Sequence, residues 1–219
     1  MANDSALSDA PLAKRFQFIA GNLCLDFCNT VGGKREGIPR ENLHDYAHFL
    51  SWCEQARLVD PSAVPQLQVQ AAQSADKGAA VLGRAIALRE AVYRIILAIA
   101  ADAAPSNEDL TVLNSELARC LGRLRILPDN GNGAFSWGWA ARPLDLDHAL
   151  GPISYSAAEL LASKEKLTHV RQCRADNCGW LFLDSSRNHS RCWCDMRDCG
   201  NRAKVRRHRR KHRDEQTSQ

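Results

Sequence analysis

Four cysteines, Cys173, Cys178, Cys194 and Cys199, fall as two CxxxxC knuckles with fifteen residues between them, in a chain of 219 residues. Zinc takes four soft ligands at tetrahedral corners, and each short knuckle can offer two thiolates from one turn while the spacer brings the pairs together. The spacing therefore predicts one structural Zn2+ per chain. A segment of this size buries too little surface to fold alone, so the metal would supply the missing free energy. Two other chemistries compete for the same stretch. His208 and His212 form an HxxxH pair, but the eight residues between Cys199 and His208 are short for a two-Cys, two-His finger. Cys192 beside Arg191 is either a redox thiol or an exposed or packed bystander.

Directly after the second knuckle the chain reads "GNRAKVRRHRRKHR". A helix from Gly200 sets Arg202, Arg206, Arg209 and Arg213 on one face and Lys204, Arg207 and Lys211 on the far side. Val205, His208 and His212 lie between, as the stripe able to lean on the metal module. With Arg210, these eight cations are the expected contacts to double-stranded DNA, most of them to phosphates. Arg202 follows Cys199 by three residues, so it either reads a guanine edge or, with Asn201, braces the knuckles. A frayed, solvated tail is the competing reading, because like charges at i,i+4 oppose a helix when no polyanion is present.

The stretch from His169 to His212, with Cys199, Gly200, Asn201 and Arg202 in succession, resembles the CGNR zinc finger. "FIAGNLCLDFCNTV" and "ALREAVYRIILAIA" resemble the ABATE domain that accompanies this finger in bacterial stress-induced transcription regulators. The resemblance implies zinc on Cys173, Cys178, Cys194 and Cys199, and DNA binding through the carboxy-terminal module. Cys192 departs from the pattern, which does not demand cysteine before Trp193, and it offers a second thiol, beside Cys194, that could take the same ligand position.

The elements that must position these residues are mostly helical. After a flexible start over 1–15, an extended segment or short strand at 16–19 leads to a helix over 23–31. Leu43, Tyr46, Ala47, Leu50 and Cys53 recur every three or four residues as an amphipathic stripe that Pro61 should end. "KGAAVLGRAIALREAVYRIILAIAADAA" reads as the central helix, and Ser106 caps the next. Between 122 and 141 the period changes to two around Asp-Asn-Gly-Asn-Gly, a β-hairpin signal. A last helix over 145–163 contains Pro152, expected to kink or divide it. Trp180, Phe182 and a turn at 185–190 suit a small hairpin on the metal. The predicted fold class is mainly α with small β-hairpins: an α-rich domain over 16–163, a four-cysteine finger with a basic helix over 164–213, and a tail over 214–219.

In "LDFCNTV" the polar Asp26, Asn29 and Thr30 share a helical face. They form either a satisfied internal network with Arg89 or Arg94, or, with Arg89, a pocket for a small-molecule or protein effector. Cys24, Cys28, Cys53 and Cys120 stand among apolar neighbours and read as core.

Charge separates along the chain. Residues 164–213 carry fifteen Lys or Arg against five Asp or Glu, a net of +10, and the remainder carries −6. One end is suited to a polyanion and the rest is not. No phosphate-binding glycine loop, nucleophile elbow or HExxH motif occurs, and a four-cysteine site leaves the metal no open position, so the reading is not an enzyme. His44, Asp45 and His48 read as an exposed polar face. The sequence shows no signal peptide and no bilayer-spanning run. A cytoplasmic regulator with no membrane association is expected, with a homodimer left open. A zinc-dependent protein-interaction module and an RNA-binding protein are the alternatives. The change of composition near Ser163 predicts that a fragment ending there folds by itself.

Overall fold

The computed structural model describes residues 15–128, 133–140 and 145–217, with side chains through residue 210. Its axis is α4 (Ala75–Ala100), whose Ala- and Leu-rich sequence buries Ala85, Leu88, Val92, Ile95 and Ile96. Against it pack α1 (Leu23–Cys28), α2 (Tyr46–Gln55), α3 (Val64–Gln73), α5 (Asn107–Leu121) and α6 (Leu150–Ala162). Aromatic contacts knit the first two helices into the core: Phe27 lies 4.9 Å from Trp52 and 6.1 Å from Phe49, centroid to centroid. Cys24, Cys28, Cys53 and Cys120 are buried among them, as expected. Side chains of Asn22, Asp45 and Ser106 cap α1, α2 and α5 by accepting from backbone N–H groups in the first turn.

Several boundaries differ from the sequence reading. The first helix stops at Cys28 rather than Val31, because Asn29 and Thr30 spend their side chains elsewhere. The Thr30 hydroxyl donates to the Phe27 carbonyl, and the Asn29 amide reaches a distant strand. The second helix stops at Gln55, ahead of Arg57 with φ of 60°. Pro61 therefore ends nothing; it opens a 3-10 turn, Pro61–Ala63, that feeds α3, a helix the apolar spacing did not reveal. Pro152 likewise sits in the first turn of α6 and produces no division, since a first-turn N–H has no helical acceptor to lose. The segment at 16–19 is not a strand and carries no regular secondary structure.

Two separate antiparallel hairpins complete the fold. β1 (Leu124–Pro128) pairs with β2 (Phe135–Trp139), Ile126 opposite Trp137; the expected turn falls largely at 129–132, outside the described residues. After a short α7 (Lys164–Thr168), β3 (Val170–Gln172) pairs with β4 (Leu181–Leu183), Arg171 opposite Phe182. The turn of this second hairpin is the first cysteine knuckle, not the 185–190 segment. That later segment is a loop tied down by Asp184, whose carboxylate accepts from the backbone of Ser186 and Arg191. A π-helical turn at Met196–Gly200 then delivers α8 (Asn201–Thr217). Among the described residues no helix is long and apolar enough to cross a membrane.

Candidate metal centre and basic helix

Cys173 follows β3, Cys178 lies in the turn before β4, and Cys194 and Cys199 flank the start of the π-helical turn. The four Sγ atoms all lie within 4.8 Å of one another and all four residues are buried. Cys178 and Cys194 sulfurs stand 3.7 Å apart, Cys194 and Cys199 sulfurs 3.5 Å. Tetrahedral zinc with bonds of about 2.3 Å requires sulfurs about 3.8 Å apart, so the donor set fits one structural zinc. Thiols this crowded cannot all ionise unaided. Hydrogen bonds from Cys178 and Cys194 hold Cys173 well below the usual thiol range, and the contact with Cys173 pushes both Cys178 and Cys194 up. A divalent cation among them offsets the accumulated charge.

Cys192 lies outside this group, half-buried, with its thiol 3.4 Å from the Ser190 carbonyl. His208 is also outside it, and the His212 side chain falls beyond the described residues. The Arg202 guanidinium donates to the Cys199 sulfur at 3.3 Å and pairs with Asp198 at 3.1 Å. Asn201 donates to the Arg197 carbonyl at 3.0 Å. Both residues thus contact the second knuckle, as bracing requires.

The phase of α8 differs from the wheel drawn from sequence. Val205, the first residue of the expected Val-His-His stripe, is 49 % exposed rather than packed on the module. Ala203, Arg206 and Arg210 border a cleft against the first knuckle instead. The reason is that Cys199, fixed in the metal cluster, sets the start of the helix and hence its rotation. Lys204, Arg206, Arg207, Arg209 and Arg210 are exposed. Lys211 and Arg213 continue the helix, their side chains beyond those described. Among the described residues, the ion pairs of α8 are Arg202 with Asp198 and Arg206 with Asp176.

The β3–β4 side of the module is built into the rest of the protein. Asn29 donates to the Leu181 carbonyl at 2.8 Å and accepts from the Leu181 N–H at 2.9 Å, so one buried amide completes the backbone of β4 as a neighbouring strand would. Trp180 Nε1 donates to the Val31 carbonyl at 2.8 Å, and Leu183 N–H to the Ala20 carbonyl at 2.8 Å. Tyr93, on α4, donates to the Gly179 carbonyl at 3.1 Å and accepts from Gln172 at 2.9 Å. Glycine suits position 179 in this approach: a Cβ there would stand 3.0 Å from the Gly33 carbonyl oxygen and 3.1 Å from the Tyr93 hydroxyl, so both would have to give by a few tenths of an ångström.

The residues expected to form an effector pocket are all buried, and each has protein partners. Asp26 accepts from the Ala20 N–H at 2.9 Å, and among the described residues it forms no salt bridge with an arginine. Burial, partly opposed by that hydrogen bond, raises its pKa to about 6. Arg89 donates to Thr30 at 3.1 Å and to both carboxylate oxygens of Glu41, and it also pairs with Glu90. Burial resists ionisation of Glu41, but the Arg89 hydrogen bond and the Leu43 and Asn42 amides outweigh it and lower its pKa to about 2. Arg94 pairs with Asp109 instead. A cavity of about 490 Å³ lies elsewhere in this domain, between α2, α3 and α4, bordered by His44, Tyr46, Gln68, Gly78 and Leu82. His44 packs edge-on to His48, whose Nδ1 is 2.7 Å from Asp45.

Sequence reasoning missed Arg174, Asp176 and Trp193, which face α8 across the cleft. The only sequence signal was the placing of two of them beside cysteine ligands.

Compared with known families, residues 21–164 match the ABATE model, described as "Putative stress-induced transcription regulator". Residues 169–212 match the CGNR zinc finger. No curated protein matches the chain.

Proposed function

Since the chain belongs to the ABATE family, described as stress-induced transcription regulators, and carries a CGNR zinc finger, we propose that it is a one-component regulator whose finger binds double-stranded DNA. The observation that carries this reading is α8. Its exposed cations start from a turn held by Cys199, and among the described residues two of them, Arg202 and Arg206, pair with a carboxylate. A helix so anchored can lie along phosphates or enter a major groove. The domain over 16–163 then receives a small-molecule or protein effector, and the module over 164–213 engages DNA in the cytoplasm.

Competition gel shifts on the intact zinc-loaded protein test this. Labelled duplex DNA should shift and be displaced by unlabelled duplex at lower concentration than by structured RNA or single strands. RNA as the stronger competitor would reassign the partner, and no shift with any nucleic acid at moderate salt would leave a protein-interaction module.

A further inference from the structure

The cleft between α8 and the first knuckle encloses about 670 Å³. One wall is α8, with Arg206, Arg207, Arg209 and Arg210; the other is the knuckle, with Arg174 and Asp176, and Trp193 borders the space. Both walls are placed by metal ligands. Arg174 follows Cys173 directly, and its N–H is fixed to the Cys192 carbonyl at 3.0 Å, while α8 starts from Cys199. The zinc cluster therefore sets the width of the cleft. Five arginines and one acidic residue line it, and the carboxylate of that residue, Asp176, is 3.0 Å from Arg206. Guanidinium forks match the oxygens of phosphate and shed water readily, so a concentration of them around a groove favours a polyphosphate chain over a single small anion.

Resting on the duplex-DNA reading above, we infer that this cleft takes one sugar–phosphate backbone of the duplex, gripped from both walls. Arg174 is a phosphate contact that belongs to the knuckle rather than to the helix. Asp176 occupies Arg206 as an internal stand-in for a phosphate and must be displaced when the backbone enters, so it lowers affinity in the free protein. The two residues should then act with opposite signs, which general attraction to a basic tail does not produce.

The test is fluorescence anisotropy of a labelled duplex with the intact zinc-loaded protein, across a range of salt concentrations and with zinc content measured for each variant. Arg174→Ala should keep its zinc, bind about ten-fold more weakly, as for one charge-assisted hydrogen bond, and lower the salt slope by about 0.9. Asp176→Asn should bind several-fold more tightly, with a steeper slope as Arg206 becomes free. Arg187→Ala, exposed in the 185–190 loop away from the cleft, should match the parent. Parental affinity and slope in Arg174→Ala, or weakened binding in Asp176→Asn, would overturn the cleft while leaving DNA binding through α8 intact. An intact protein that binds no duplex would overturn both readings.

Discussion

The β3–β4 hairpin and α8 hang from the same four cysteines, yet they meet opposite surroundings. The hairpin's polar groups are completed from inside the protein, by Asn29, Val31, Ala20 and Tyr93. The charges of α8 stand on exposed side chains, and among the described residues Asp198 and Asp176 pair with two of them, Arg202 and Arg206. A buried backbone group without a partner costs about 1–3 kcal/mol, so the hairpin cannot leave its seat cheaply. Exposed cations on a helix cost little in water, but they repel one another until an anion arrives. The metal centre thus joins a half that is finished by the fold to a half that awaits a partner.

The harshest way to break this comparison is to remove a ligand. Cys199→Ser should release zinc, detach α8 from its anchor and loosen the hairpin, whereas Cys192→Ser should retain one zinc per chain; elemental analysis with circular dichroism reads both. Zinc kept in Cys199→Ser and lost in Cys192→Ser would move the fourth ligand to Cys192.

A smaller effect isolates the hairpin. Asn29→Ala leaves the Leu181 N–H and carbonyl without their partner and should destabilise the protein by about 2–4 kcal/mol in chemical denaturation. Sequence composition suggests that a fragment ending at Ser163 folds alone, but the docked hairpin changes that expectation. Such a fragment exposes the Asn29 and Tyr93 positions together and should melt below the intact chain. An unaltered midpoint in Asn29→Ala would show that the docking contributes nothing.

On the helix side, Arg202→Ala removes the donor to the Cys199 sulfur. Loss of a group that supports a metal ligand typically lowers metal affinity by about 10–100-fold, measurable by competition with a chromogenic chelator. Unchanged zinc affinity with relaxed DNA sequence preference would favour base readout over bracing.

The mildest test concerns pH. Asp26 titrates at about 6 in the fold, above the ordinary carboxylate near 3.9. For an acid with a raised folded pKa, the folded state holds the extra proton, so this group's contribution to stability improves as pH falls through about 6 and levels off below about 4. Asp26→Asn keeps an oxygen to accept from Ala20 and should therefore be more stable than the parent at pH above 6 and nearly equal to it at pH 4. Glu41 behaves oppositely: its contribution is present above about 4.5 and is lost as pH falls towards about 2. A parallel displacement of the two stability curves at all pH values would exclude Asp26 as the source.

Local patterns revealed what local physics controls. The ligand spacing, the central helix, the cap at Ser106 and the alternation from Leu124 to Trp139 were all legible, because each is decided by near neighbours. Contacts between distant segments were not. Asn29 looked like a polar oddity in an apolar helix because its partner, Leu181, is 152 residues away. Pro61 and Pro152 carried the same sequence signal as helix breakers, and only the surrounding chain shows that each opens an element. The exposure of Val205 was not legible, because a metal ligand, Cys199, and not hydrophobic phase sets where α8 begins. The turn of the finger's hairpin looked to lie downstream of Phe182, at 185–190, whereas the knuckle itself is the turn and β3 is the partner strand.

Amide hydrogen exchange on the intact protein, before and after zinc is stripped, tests most directly whether the metal centre joins the two halves. With zinc bound, the Gly179, Leu181 and Leu183 amides, which donate to Gly33, Asn29 and Ala20, should be protected, along with the first turns of α8. Removal of zinc should abolish protection in both regions together. Full protection of the three hairpin amides in the stripped protein, with exchange faster in α8 alone, would contradict it.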